Sequence, residues 1–239
     1  DAGVFKKVIE AVTNLIDEGT IEASADGLRL RSMDPSQISM VDLFIPKTAF
    51  TKYDVVEKKV FAINFQDLLK ILSRAKGKVA FELSEENSKL FVELQGDTKK
   101  SFKLPLLDLQ HAMPREPAIQ FEAVMRLRSD TFKDLIKDAG VFASHIVMEA
   151  TKDGFFVEAQ GDSGEMKTET KKDSKAFEKF EANGGKARAM FPYDYLEKLS
   201  KSATEEYMEV SLKTNAPVRL AYSVGKAQLK YYLAPRVEN

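Results

Sequence analysis

Apolar residues Val4, Phe5, Val8, Ile9, Val12, Leu15 and Ile16 recur at three-and-four spacing, with Lys6, Lys7, Glu10, Thr13 and Asn14 between them. That period predicts an amphipathic helix, ending near Gly19. Beyond it the period shortens to two. Residues 20–25, 28–32, 39–46 and 60–64 read as strands, the first pair joined at the Asp26-Gly27 turn. Residues 66–74 return to helical spacing with Leu68, Leu69, Ile71 and Leu72 on the buried side, and 79–83, 89–94 and 99–104 follow as a meander. Two short helices against many antiparallel strands make an α+β fold with the helices gathered on one face.

The pattern then repeats. At an offset of 127 residues, Phe5-Lys6 falls on Phe132-Lys133, Glu22-Ala23 on Glu149-Ala150 and Asp26-Gly27 on Asp153-Gly154. The same offset carries Asp67, Leu69, Leu72 and Ser73 onto Asp194, Leu196, Leu199 and Ser200, with no slip in between. Near the ends it drifts by three, laying Phe102-Lys103-Leu104-Pro105 on Tyr232-Leu233-Ala234-Pro235. A duplicated fold is expected, with repeats at 1–105 and 119–239. Residues 106–118, with Pro114 and Pro117, fit neither period and read as a linker. Its Leu106, Leu107, Leu109 and Met113 predict that it lies along the surface. The alternating stretch 119–127 reads as a strand whose counterpart would precede Asp1, so the natural protein is expected to carry one more N-terminal strand, missing from the first repeat here.

Composition narrows the chemistry. The 239 residues are 44% apolar and 31% charged, and 36 basic against 37 acidic side chains leave a net charge of −1. Polyanion binding would have to come from the placement of charge rather than its sum. The absence of cysteine removes disulfides, thiolate metal sites and thiol nucleophiles, and favours an intracellular compartment. His111 and His145, the two histidines, have no second ligand or nucleophile placed near them, and no phosphate loop, zinc pair or nucleophile elbow occurs. No catalytic residue, metal or cofactor is expected, and no apolar run is long enough to span a membrane.

The polar sides of the predicted helices carry cations in both halves: Lys6, Lys7, Lys70, Arg74 and Lys76 in the first, Lys133, Lys137, Lys198 and Lys201 in the second. The repeat offset relates Lys6 to Lys133 and Arg74 to Lys201. Such stripes suit phosphate contacts without base readout, diluted here by Glu10, Asp134, Asp138, Asp194 and Glu197.

Three stretches resemble one family. Gly27-Leu28-Arg29-Leu30-Arg31-Ser32-Met33-Asp34-Pro35-Ser36 is similar to the turn, strand and Ser-Met-Asp-Pro-Ser segment of archaeal and eukaryotic sliding clamps, the proliferating cell nuclear antigen (PCNA) family. Phe5-Lys6-Lys7-Val8-Ile9-Glu10-Ala11 resembles the first clamp helix, and Tyr231-Tyr232-Leu233-Ala234-Pro235-Arg236-Val237 the C-terminal signature. Lack of cysteine and tryptophan favours the archaeal branch, which implies cytoplasm and nucleoid.

The resemblance implies a non-enzymatic processivity factor. Three identical chains would close head to tail around duplex DNA, with the nine cations lining the hole, and a clamp loader would place the ring. DNA polymerase, ligase and flap endonuclease would be tethered through short peptides; a heterotrimeric or checkpoint-type subunit is the alternative. By position, the peptide pocket would use Met33, Gln37, Ile38 and Met40 as floor, Pro217, Tyr232, Ala234 and Pro235 as wall, and Ala112 and Met113 from the linker. Ring closure would pair an edge strand carrying Lys99, Lys100, Phe102 and Lys103 with one carrying Glu165, Met166, Thr168 and Glu169, although Lys167 opposes that complementarity.

Overall fold

The computed structural model describes residues 1–84, 88–109, 113–182 and 185–236. The chain forms two compact units, one of Asp1–Pro35, Val41–Arg115 and Val224–Gln228, the other of Ser36–Met40, Glu116–Ser223 and Leu229–Asn239.

The first unit opens with α1 (Ala2–Thr13), whose N-cap Asp1 takes the Val4 amide at 3.0 Å. The helix stops well short of Gly19. The Leu15 and Ile16 amides both turn onto Val12 O, so these residues keep an apolar spacing while the backbone is already reversing. Gly19 itself lies in β1 (Glu18–Ser24). Strands β2 (Gly27–Met33), β3 (Ser39–Pro46) and β4 (Lys59–Asn64) follow, and within this unit the order is β3-β2-β1-β4. Asn64 caps α2 (Phe65–Leu72), which packs on α1. A second sheet, β5-β6-β7 (Lys78–Ser84, Lys89–Gln95, Lys100–Pro105), completes the unit, with Phe5 of α1 against Phe81 of β5.

In the second unit, β8 (Ala123–Arg128) is shorter than its alternation predicts, because Phe121 leaves the strand and stacks under the Arg219 guanidinium at 4.8 Å. Helix α3 (Ser129–Gly140) is followed by β9 (His145–Thr151), β10 (Gly154–Gly161) and β11 (Gly164–Lys171). Then come β12 (Phe177–Ala182), β13 (Ala187–Pro192), α4 (Tyr193–Ser200), β14 (Tyr207–Leu212), β15 (Val218–Val224) and β16 (Ala227–Leu233). One sheet runs β12-β8-β14-β15-β16 and the other β11-β10-β9-β13. Helices α3 and α4 pack together, and Tyr222 ties β15 to α4 by donating to Leu199 O at 2.9 Å.

The duplication is visible element by element, but the register slips. Helices α1 and α3, and strands β1 and β9, are related by 127 residues; β4 and β13, and α2 and α4, by 128. Burial follows the second number, since Leu68 and Leu72 match buried Leu196 and Ser200. This overturns the unbroken offset and the pairing of Arg74 with Lys201. Lys201 corresponds to Ser73, both at the C-cap, and Lys70 corresponds to Lys198, both in a last helical turn. A second equivalence lies outside the strands. Leu107 bridges to Ala62 on β4, and Arg236 bridges to Met190 on β13, at corresponding places.

A strand persists only where its backbone has a partner. β8 is flanked by β12 and β14, whereas β5 has β6 as its one neighbour among the described residues, and residues 51–58, which correspond to the β12 region, form no strand.

Gly161 ends β10 with its Cα against Phe142 O; a Cβ there would lie 1.8 Å from that oxygen. Gly161→Ala is expected to lower stability by about 2 kcal/mol or more, read as a reduced urea midpoint, whereas an unchanged midpoint would mean the turn can open freely.

Candidate functional site

The predicted cations fall into two groups. Lys6 pairs with Glu10 at 3.4 Å, Lys70 with Asp67 at 2.8 Å, and Lys133 with Asp130 at 2.9 Å while also donating to Ala203 O at 3.1 Å. Each is therefore engaged within its own helix or its neighbour. Lys7, Arg74, Lys76, Lys137, Lys198 and Lys201 are exposed and form no ion pair among the described residues, though Lys198 lies 5.9 Å over the Tyr195 ring. These six are the groups able to meet an anion without first losing a partner. Sequence alone gave no sign of this division, because i,i+3 and i,i+4 acids flank members of both groups.

The predicted partner pocket separates by unit. Met33 and Met113 belong to the first, and Ala112 lies outside the described residues. In the second unit the Ala234 amide donates to Ile38 O at 2.8 Å, and Ser39 Oγ donates to Tyr232 O at 3.1 Å, drawing residues 36–40 and the end of β16 together. Ile38, Pro217, Ala234 and Pro235 are half-buried; Gln37 is exposed in the left-handed region at φ 60°. Met40 and Tyr232 are core residues, 3% and 4% exposed, so neither is available to a visitor as the unit stands.

Tyr232 breaks the alternation of β16. Tyr231 and Leu233 point into the core, so Tyr232 points outward, yet it is covered. Glu116 lies over it, accepting from Tyr232 Oη and from Lys230 Nζ, each at 2.7 Å. Burial first and the Glu116 carboxylate second push the phenol up to about 12. In the first unit the linker is held differently: the Leu106 and Leu107 amides donate to Ser88 O and Ala62 O, and Arg31 donates to Pro114 O at 3.3 Å. Arg31 is in turn held by buried Asp42 at 2.7 Å, which also meets Arg29 at 3.2 Å. Neither Glu116 nor Asp42 was singled out from sequence. The alternation of Arg29 and Arg31, with one acid at Asp42 inside an otherwise apolar strand, is the signal that would have found the second.

The predicted pairing strands are both edges. β7 has β6 as its one neighbour and β11 has β10, among the described residues. On β7, Phe102 shares a face with Lys100 and buried Leu104, while Ser101 and Lys103 face the other way with Lys99 preceding them. Lys100 therefore does not share the row of Lys99 and Lys103. Lys103 lies 5.4 Å over the Phe91 ring and Lys99 pairs with Glu93 at 2.7 Å. On β11, Met166 and Thr168 are half-buried and Glu165 and Glu169 are exposed.

Among the described residues no group of three acidic or histidine side chains is placed to hold a metal, and no helix is long and apolar enough to cross a membrane. His111 lies outside the described residues. His145 holds the C-terminal segment: Arg236 can only donate, so Nε2 accepts at 3.0 Å and Nδ1–H faces Ser144 Oγ at 3.0 Å.

Models of the PCNA N-terminal domain and the PCNA C-terminal domain match residues 1–112 and 115–237. The DNA polymerase sliding clamp of Thermofilum pendens is 32% identical over 243 residues, covering 100% of this chain and 97% of that protein. PCNA from Thermococcus kodakaraensis superposes with a TM-score of 0.91 at 25% identity, covering 99% and 97% of the two chains. A. fulgidus PCNA, solved with the C-terminal region of FEN-1 bound, gives 0.88 at 30% identity over 100% and 97%.

Burial first and Arg236 second lower the His145 pKa from 6.5, so the unfolded chain takes the proton more readily. The contribution is complete above about pH 6.5 and is lost as pH falls through the depressed value. Denaturation from pH 7.5 to 5.5 should show a stability loss that His145→Gln reduces; identical profiles would remove the histidine from the cause.

Proposed function

The chain belongs to the proliferating cell nuclear antigen family of DNA sliding clamps, and we propose that it works by closing into a head-to-tail homotrimer around duplex DNA. A non-enzymatic factor of this kind acts by topology. The observation that carries the reading is the pair of open edges, β7 and β11, one in each half of a doubled module. Each edge exposes a row of unpaired N–H and C=O groups, and pairing β7 of one chain with β11 of the next would satisfy both. Repeating a heterologous contact closes a ring when the rotation permits. Phe102 and Met166 would meet on one face of that ladder, and Lys99 and Lys103 would face Glu165 and Glu169 on the other.

Inside the ring, Lys7, Arg74, Lys76, Lys137, Lys198 and Lys201 would carry most of the phosphate contact. Lys6, Lys70 and Lys133 would contribute less, being already paired with carboxylates. A net charge of −1 keeps the overall attraction weak, which suits a ring that must slide. Such contacts read charge and not sequence.

Partner proteins would dock through short peptides on the second-unit locus of Ile38, Gln37, Pro217, Ala234 and Pro235, with Met40 and Tyr232 as its buried support. DNA polymerase, ligase, flap endonuclease and an ATP-driven loader are the expected partners. The FEN-1 peptide seen on A. fulgidus PCNA supports the peptide mode, because that relative aligns with the whole of this chain.

Sedimentation at physiological salt is expected to give a trimer, and Lys103→Glu to shift it toward the monomer; a monomeric wild-type chain, or a trimer indifferent to Lys103→Glu, would count against β7–β11 pairing. Charge reversal at Lys7, Lys137, Lys198 and Lys201 is expected to reduce the salt slope of DNA association by about one unit per cation with trimer mass unchanged. Reversal at Lys6, Lys70 and Lys133 should change it less, and equal effects would erase the distinction between the two groups.

A further inference from the structure

The charge on the β11 edge is set from behind it. Glu165, Lys167, Glu169 and Lys171 alternate along its exposed face, so a lysine stands between two acids. Left alone, Lys167 would repel Lys103 of β7, whose neighbour Lys99 is already paired with Glu93 at 2.7 Å. It is not left alone: it stands directly opposite Glu158 on β10, with Nζ 2.6 Å from Glu158 Oε1. That bond is the leading cause that raises the lysine pKa and lowers that of the acid. Glu158 is braced in turn, its other oxygen meeting Arg188 at 3.1 Å, and Arg188 reaching Glu149 at 2.9 Å. Alternating charge therefore runs across β13, β9 and β10 and ends on Lys167. Glu165 and Glu169 form no ion pair among the described residues, so the middle of the edge presents two acids around a neutralised lysine, with exposed Lys171 at its end.

Resting on the β7–β11 pairing above, we propose that Glu158 is a specificity-determining residue for self-association, because it cancels Lys167 and lets β11 present Glu165 and Glu169 to Lys103 of β7 in a second copy of this chain. The contact favoured in this way is the heterologous one between β11 and β7. Glu158 is 26% exposed and lies on the second strand from the edge, so it acts through Lys167 and not by touching the neighbour.

The test is the association constant of the full chain by sedimentation equilibrium at about 50 mM and about 500 mM salt, since screening removes exposed-charge effects. Glu158→Gln is expected to weaken association about three- to fivefold at low salt, with the difference vanishing at high salt. Glu158→Gln combined with Lys167→Gln should restore the value of Lys167→Gln alone, because the uncompensated lysine is then gone. An unchanged constant for Glu158→Gln at low salt would overturn the proposal. So would a loss that persists in the double variant or at high salt, which would mark a disturbed sheet instead of a charge effect. If Lys103→Glu weakens assembly while Glu158→Gln does not, this inference alone fails; if Lys103→Glu is also without effect, the edge pairing and this inference fall together.

Discussion

Unsatisfied backbone at the ends of sheets is the constraint on which the rest depends. Buried or paired strands satisfy their own N–H and C=O groups, but every open sheet leaves two rows of them. In this chain the four-stranded sheet has β11 at one end and the three-stranded sheet has β7 at one end, strands of eight and six residues. Monomeric proteins usually blunt such edges with bulges, prolines or inward charges. Here β7 carries lysines and a terminal proline, and β11 alternates two acids with two lysines, one of them paired with Glu158 behind it.

Electrostatics follow the same economy. Basic and acidic residues nearly cancel over the whole chain, yet the helices divide their lysines into members satisfied one turn away and members that are not. Exposed helical ion pairs contribute only about 0.3–0.5 kcal/mol each, so they tune the field more than they stabilise the fold. Three of the nine cations are paired in this way, and six form no ion pair among the described residues.

The alternation and helical periods made the α+β character, the duplication and most elements legible from sequence, because those periods report burial directly. Errors arose where an apolar residue serves a turn or a stack. Leu15 and Ile16 extended a helix that had already reversed, and Phe121 lengthened a strand it had left for Arg219. The one-residue slip before α2 and α4 has no sequence signature, because helical leucines fit several registers, and only burial at Leu68, Leu72, Leu196 and Ser200 chooses between them. Which of the cations pair with acids was not legible, because pairing depends on rotamers. The clasp of Glu116 on Lys230 and Tyr232 joins residues more than a hundred positions apart and has no local signature.

The matched bridges of Leu107 to Ala62 and Arg236 to Met190 have a kinetic corollary. Each outer strand, β4 and β13, is closed by a single residue of irregular chain, a seal whose backbone bond contributes about 1 kcal/mol. Fraying should therefore begin at these two seams, long before either sheet dissolves. The seams differ in kind: greasy leucine closes one, and an arginine resting on an imidazole closes the other. Acidification would loosen the tail while leaving the connector shut, so a molecule built from two copies of one module need not come apart symmetrically.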